Sequence, residues 1–224
     1  MKILSQEEFD QLTKGATIVE QDGCGVKVLT LTDGTFLKLF RNKRFISSAR
    51  IYPYARRFAN NANSLKKAGI TTVTVIETYK INLPPRSIVR YQPLSGNTVR
   101  EVARSNLDTL KQGQIKKIAQ FIAILHNKGI YFRSLHLGNI LVTEDGNLGL
   151  IDISDMKFYS KPLSVGKRIR NFRHLMRYKN DAKLLFQYEP SSFIDSYLNA
   201  NHRALSTKDQ LKIVNSLCPK SRYK

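Results

Sequence analysis

Asn139 and Asp152 are the residues of this chain whose types and spacing point most directly to chemistry. Thirteen positions separate them. Between them lie a short apolar run at 140–142, the turn Glu144-Asp145-Gly146-Asn147 and a second run at 148–151. An Asp-Gly-Asn turn between two such runs is a hairpin signal. A hairpin folds the chain back, so an amide oxygen at its entrance and a carboxylate at its exit can converge on one hard cation. Mg2+ takes such oxygen donors. Ser134, His136 and Asp155 lie close by in sequence. A metal held this way suits phosphoryl transfer, where a protein positions phosphates and neutralises their charge rather than forming covalent bonds.

The elements that must position these residues fall into two halves. Strand-like runs at 17–19, 25–30 and 35–40 are broken by Asp22-Gly23 and Asp33-Gly34, both hairpin signals. Ser47 or Ser48 is placed to cap a helix running towards Lys67, which Gly69 would end; Pro53 inside that stretch would delay the regular helix to that point. Two more strands are predicted at 72–77 and 87–91, with Leu83-Pro84-Pro85 turning between them. Gln92-Pro93-Leu94-Ser95-Gly96 reads as a connector. Beyond it, Ile115, Ile118, Ile122 and Leu125 line one face of a helix that stops at Gly129. Ile169, Phe172 and Met176 mark another amphipathic helix, with Arg168, Arg170, Arg173 and Arg177 on its other face. The pattern predicts an α+β protein in two lobes, a small β-rich lobe over 1–92 and a mostly helical lobe over 93–224.

Charge narrows the partners. Lys and Arg number 37 against 17 Asp and Glu, a formal net charge of +20. Residues 34–76 hold nine cations and no acid, and residues 156–180 hold eight and no acid. Such a field gathers polyanions: nucleic acid, an anionic membrane surface or a phosphorylated glycolipid. Nucleic acid ranks last, because the interleaved exposed aromatics of a single-strand binder are missing. No run reaches the ~18 apolar residues that span a bilayer. The first nine residues turn acidic before a signal-peptide core could form. The two cysteines, Cys24 and Cys218, have no metal-ligand spacing. A reduced, cytoplasmic protein is expected, peripheral at the inner membrane.

Residues 129–155, with Tyr131-Phe132-Arg133-Ser134-Leu135-His136-Leu137-Gly138-Asn139 and Ile151-Asp152-Ile153-Ser154-Asp155, resemble the catalytic loop and metal-binding turn of the protein-kinase-like superfamily. Within it they look most like the small bacterial lipopolysaccharide core heptose and Kdo kinases, relatives of aminoglycoside and choline phosphotransferases. The loop of those relatives reads His-Gly-Asp-Leu-His-x-x-Asn, and Leu135, His136 and Asn139 stand here unchanged. Lys167-Arg168-Ile169-Arg170-Asn171-Phe172, followed by Leu175 and Arg177, is similar to the same branch. The resemblance implies a two-lobed protein-kinase-like fold with ATP and Mg2+ as cofactors. It implies that Lys38, in Phe36-Leu37-Lys38-Leu39-Phe40, grips the nucleotide phosphates and that Gly23 and Gly25 form a short phosphate-covering turn. Gln92 joins that cofactor set, and Asn139 and Asp152 become the metal ligands. His136 falls where relatives keep a phosphate-contacting or loop-bracing group; a hydrogen-bonded buried histidine fits it equally well. Arg168, Arg170, Arg173 and Arg177 are the implied contacts for an anionic acceptor, the lipopolysaccharide core, or for the membrane surface.

Two departures divide the functional reading. Ser134 occupies the position of the catalytic Asp, and a serine hydroxyl is no general base near neutral pH unless another group activates it. His136 and Asp155 are the candidate substitutes. The helix that should offer Lys38 a glutamate has none, since no acid lies between Asp33 and Glu77; Asn60, Asn61 or Asn63 stands there instead. One reading is therefore an ATP-dependent kinase of a lipopolysaccharide inner-core sugar. The other is a catalytically impaired kinase-fold protein that binds nucleotide or a partner.

Overall fold

Strand alternation organises the first part of the chain. The computed structural model describes residues 1–41, 52–82, 85–107, 109–188, 190–201 and 205–217. The chain divides into two units, Met1–Ser95 with Ile151–Ser154, and Gly96–Leu150 with Asp155–Lys224. The boundary thus falls after Ser95 rather than Gln92, and Ile151–Ser154, expected in the second lobe, belongs to the first unit.

The first unit contains β1 (Lys2–Ile3), α1 (Gln6–Leu12), β2 (Thr17–Asp22), β3 (Gly25–Thr30), β4 (Phe36–Arg41), α2 (Tyr54–Lys67), β5 (Thr71–Thr72), β6 (Thr74–Asn82) and β7 (Pro85–Gln92). Six strands form one sheet in the order β1-β6-β7-β4-β3-β2, antiparallel except where β1 runs beside β6. Leu29, Leu31, Leu37, Leu39, Tyr79, Ile81 and Ile88 pack on one face with Leu4, and Phe9 and Leu12 of α1 close over them. Each such side chain contributes roughly 1.5–3 kcal/mol when fully buried, so a one-residue slip of β4 would expose Leu37 and Leu39 and is strongly disfavoured. The other face carries α2, where Phe58 meets Tyr91 at 5.3 Å. Pro53 is the N-cap of α2, which suits a residue with no N–H to satisfy. The expected Ser47 or Ser48 cap lies outside the described residues, as do Leu83 and Pro84, while Pro85 opens β7 instead of completing a turn. Helix α1 was not expected, although Ser5 and Glu8 form a reciprocal capping box with bonds of 3.1 and 2.8 Å.

The second unit adds β8 (Asn97–Thr98), α3 (Val99–Ser105), α4 (Gln112–Asn127), β9 (Ile130–Phe132), a 3-10 turn at Leu137–Asn139, β10 (Ile140–Val142), β11 (Leu148–Leu150) and β12 (Met156–Phe158). Helices α5 (Val165–Leu175), α6 (Lys179–Leu185), α7 (Pro190–Asn199) and α8 (Thr207–Leu217) complete it. The predicted hairpin is present as β10 and β11, with β8 beside β10, and β9 pairs antiparallel with β12. Ile115, Ile118, Ile122 and Leu125 of α4 are all buried, and α4 packs on α7. After α4 the chain must turn at Gly129, with φ +72; a Cβ there would stand 2.3 Å from the Tyr159 carbonyl oxygen.

Helix α5 differs from its expected phase. Its buried stripe is Arg168, Asn171, Phe172 and Leu175, and Ile169 and Met176 are only half-buried. Arg168 therefore faces the core. It is 1% exposed and donates to the carbonyl of Leu163 (2.8 Å), Tyr197 Oη (3.0 Å), Asn201 Oδ1 (2.7 Å) and Asn127 Oδ1 (2.9 Å). The expectation that it contacts an external anion is corrected: its donors are spent inside the unit. His126 continues the network through Nδ1 to Tyr197 Oη (2.8 Å) and Nε2 to Asn171 Oδ1 (3.1 Å), and Asn171 Nδ2 donates to the Phe132 carbonyl (2.6 Å). That last bond fixes the nitrogen of the Asn171 amide, which makes His126 Nε2 the protonated nitrogen and Tyr197 the donor to Nδ1. The donors thus all run one way, from Arg168 through Tyr197, His126 and Asn171 to the strand that leads into the Ser134 loop.

Candidate functional site

In the first unit the site begins with Lys38. Leu37 and Leu39 are committed to the core, so strand alternation turns Lys38 to the opposite face of β4. Its side chain is 14% exposed, and Nζ lies 2.7 Å from Asp152 Oδ1. Asp152 takes a left-handed backbone, φ +51, a conformation costing on the order of 1–3 kcal/mol for a residue other than glycine and concentrated at functional sites. Asn61 of α2 holds this turn from behind, donating Nδ2 to the Ile153 carbonyl at 2.6 Å. This corrects the expected partner of Lys38: the lysine pairs with Asp152, and Asn61 secures the turn that presents Asp152. Asn60 donates to Tyr52 Oη and Asn63 is exposed. Burial, with the Asp152 charge adding to it, pushes the Tyr91 phenol up.

Lys38 and Asp152 line a cavity of about 330 Å3 together with Glu20, Asp22, Lys27 and Arg41, with Phe40 and Tyr54 as its aromatic wall. The Gly23-Cys24 turn beside it is pinned. Asp22 Oδ1 accepts from the Cys24 N–H (2.9 Å) and from Arg41 Nη1 (3.0 Å), while Arg41 Nη2 donates to the Gly25 carbonyl (2.7 Å). The Cys24 N–H first, then Arg41, hold the Asp22 carboxyl down at about 2. Lys27 reaches Glu20 at 3.0 Å and Asp22 at 3.4 Å. Each cation lining the cavity is therefore paired with a carboxylate. Gln92 is exposed at the end of β7 opposite Thr74 and lies outside this lining.

In the second unit the loop after β9 is braced by its own backbone. The Arg133 N–H donates to the Asp155 carbonyl at 3.0 Å, and the two side chains approach to 3.5 Å. Asn139 is 6% exposed, and its Nδ2 donates to the Ser134 carbonyl at 2.8 Å. Because that partner is a carbonyl, the nitrogen is fixed there, and Oδ1 is the end left to accept or to ligate. His136 caps the 3-10 turn, its Nδ1 accepting from the Gly138 N–H at 3.1 Å. Ser134 is half-buried at the head of this arrangement.

Two residues that sequence reasoning missed hold the loop from below. Asp181 is 1% exposed and accepts from the Leu137 N–H (2.9 Å), Arg100 Nε (3.0 Å) and Arg100 Nη2 (2.8 Å). Arg100 approaches so closely that a Cβ on Gly138 would stand 2.8 Å from its Nη1. Nothing local in the sequence signals this pair, whose members are 81 residues apart. Arg170, Arg173 and Arg177 are exposed, whereas Arg168 is not.

No family model matches the chain, and no curated protein matches it. Solved structures do match. Among them is the crystal structure of monomeric WbdD, at 12% sequence identity and a TM-score of 0.49, over 86% of this chain and 43% of that one. The chain thus spans less than half of that protein's length. A likeness at this level says nothing about activity.

Proposed function

We propose that the protein binds ATP with Mg2+ and belongs by chemistry to the kinase-like phosphotransferases, with an inner-core sugar of lipopolysaccharide as acceptor. The observation that carries the proposal is the Lys38–Asp152 pair at 2.7 Å, with Asp152 held in a left-handed turn beside a cavity of about 330 Å3. The donor set fits Mg2+, which leans on one or two protein oxygens and on substrate phosphates rather than on a full protein cage. Among the described residues no group of three His, Cys, Asp or Glu could hold a metal. In this reading Asp152 would supply a carboxylate ligand to Mg2+, which would neutralise phosphate charge. Lys38, beside that carboxylate, would pair with the nucleotide phosphates. Arg170, Arg173 and Arg177 are the acceptor-side cations, and the +20 charge favours the anionic face of a membrane. Among the described residues no helix is long and apolar enough to cross one.

A second reading, nucleotide binding without transfer, is favoured by one observation. His136 Nδ1 already accepts from Gly138, so its neutral ring has no lone pair left to take a proton. Asp155, half-exposed and 3.5 Å from Arg133, is then the remaining candidate base. Transfer of the terminal phosphate of radiolabelled ATP to deep-rough lipopolysaccharide separates the two. The kinase reading expects Mg2+-dependent labelling that rises on the order of 10^2-fold in Ser134→Asp, the usual worth of a positioned base. ATP binding without labelling in either protein would establish the second reading instead.

A further inference from the structure

We propose that the second unit carries a subsite for a phosphate monoester, built from Arg133, Arg170 and Arg177 around Tyr131 and His174. The inference rests on the phosphotransferase reading for its biological sense, since it makes the acceptor a sugar that already bears a phosphate. The site stands on geometry that the catalytic loop does not use. Strand β9 ends at Phe132, and Asn171 of α5 is bonded to the Phe132 carbonyl at 2.6 Å, which fixes the helix against the strand. Helical periodicity then puts Arg170 and His174, at i and i+4, off the buried stripe of α5, and Arg177 follows in the turn after the helix, its N–H donating to the His174 carbonyl at 3.2 Å.

His174 ties the pieces together. Its Nε2 lies 3.1 Å from Tyr131 Oη, and its Nδ1 lies 3.1 Å from Arg177 Nη2. A guanidinium can only donate, so Nδ1 accepts, the ring is neutral, and Nε2–H points at the tyrosine oxygen. Burial and then Arg177 and Arg133 push the His174 pKa down, with Arg170 adding to them and Asp155 alone opposing. Burial also raises the Tyr131 phenol, against the pull of Arg170 and Arg133. Three guanidiniums thus act on one imidazole with one carboxylate, Asp155, to offset them. A compact dianion would pair with these guanidiniums. Arg133 immediately precedes Ser134, so an acceptor anchored here is held beside the loop residue at the base position.

A single phosphate monoester fits better than a polymer. Arg177 contacts the His174 ring directly, and guanidinium forks match phosphate oxygens in pairs. Binding should also draw a proton onto His174, because the dianion reverses the sign of its surroundings.

The test uses the full chain and inorganic phosphate at constant ionic strength, with the His174 ring followed by NMR. Saturable binding is expected, with the His174 titration midpoint moving upward by about one unit. The response should persist in Lys38→Ala, which removes binding at the nucleotide site, and weaken at least tenfold in Arg170→Gln/Arg177→Gln. Lys208→Gln/Lys212→Gln, on α8, should leave it unchanged. Phosphate binding that is equal in the Arg170/Arg177 variant, or reproduced by matched KCl, would overturn the proposal. So would binding to vesicles of phosphatidylglycerol and phosphatidylcholine without any response to free phosphate. The Arg170/Arg177 variant should keep its Mg2+-ATP response. Loss of the ATP response in wild type with the phosphate response intact would sink the phosphotransferase reading and leave the subsite standing.

Discussion

Replacing Arg168 by alanine is expected to destabilise the protein by about 3–5 kcal/mol, the sum of orphaned buried acceptors and a side-chain-sized cavity. Arg168 donates to four oxygens, on Leu163, Tyr197, Asn201 and Asn127, and none of them is a carboxylate. Among the described residues its charge is held by neutral dipoles alone, so every one of those bonds matters. Urea unfolding reads the effect as a lowered midpoint with unchanged slope. In a chain of this size the melting temperature should fall by on the order of 6–20 °C. Arg168→Lys should recover only part of the loss, because an ammonium cannot reproduce the planar fork. A loss below about 1 kcal/mol would mean that the network is not structural and would return Arg168 to the list of surface cations.

Acid should unfold the protein largely through His126. Burial first, and then the Arg168 charge, push its pKa down to about 3, while the Asn171 bond pulls the other way. The unfolded imidazole titrates near 6.5. At pH 7 neither state carries the proton, and the contribution of the neutral histidine is complete. Below about 6.5 the unfolded chain binds a proton that the native one refuses until about 3. Stability should therefore drop by about 1.4 kcal/mol for each pH unit across that window. The carboxylates also titrate in acid, so the comparison that isolates His126 is His126→Gln between pH 6.5 and 4.5. The variant is less stable at pH 7 and its stability curve should be flatter by about that slope. Parallel curves would show that the native ring accepts a proton, which the one-way donor order from Arg168 to the Phe132 carbonyl forbids.

Much of this fold was legible because its signals are short-range. Alternation around Lys38, the Asp-Gly turns and the 115/118/122/125 stripe each announce themselves within a few residues, and they agree with the observed strands and helix α4. The phase of α5 was not legible, because a sequence count treats arginine as a surface residue. Arg168 sits on the buried stripe only because Asn127, Tyr197 and Asn201 arrive from distant segments to receive it. The same physics hid the loop supports. Asp181 meets Arg100 and Leu137 across 81 and 44 residues, and Lys38 meets Asp152 across 114. The missing helix glutamate suggested an asparagine as the partner of Lys38; the lysine instead pairs with Asp152, and Asn61 braces the turn that carries it. Helix α1 was legible in Ser5 and Glu8, a capping box passed over when the N-terminus was read for charge alone.

Thermal unfolding with Mg2+ and ATP reads out a nucleotide site organised by Lys38 and Asp152. At a ligand concentration near 100 times Kd the native state should gain about 2.7 kcal/mol, on the order of 5–10 °C here. Lys38→Ala should abolish the shift, as should Asp152→Asn, a replacement that tolerates the left-handed backbone. Omitting Mg2+ should abolish it in wild type. No shift at millimolar ATP, or one indifferent to Mg2+ and to both substitutions, would contradict the account.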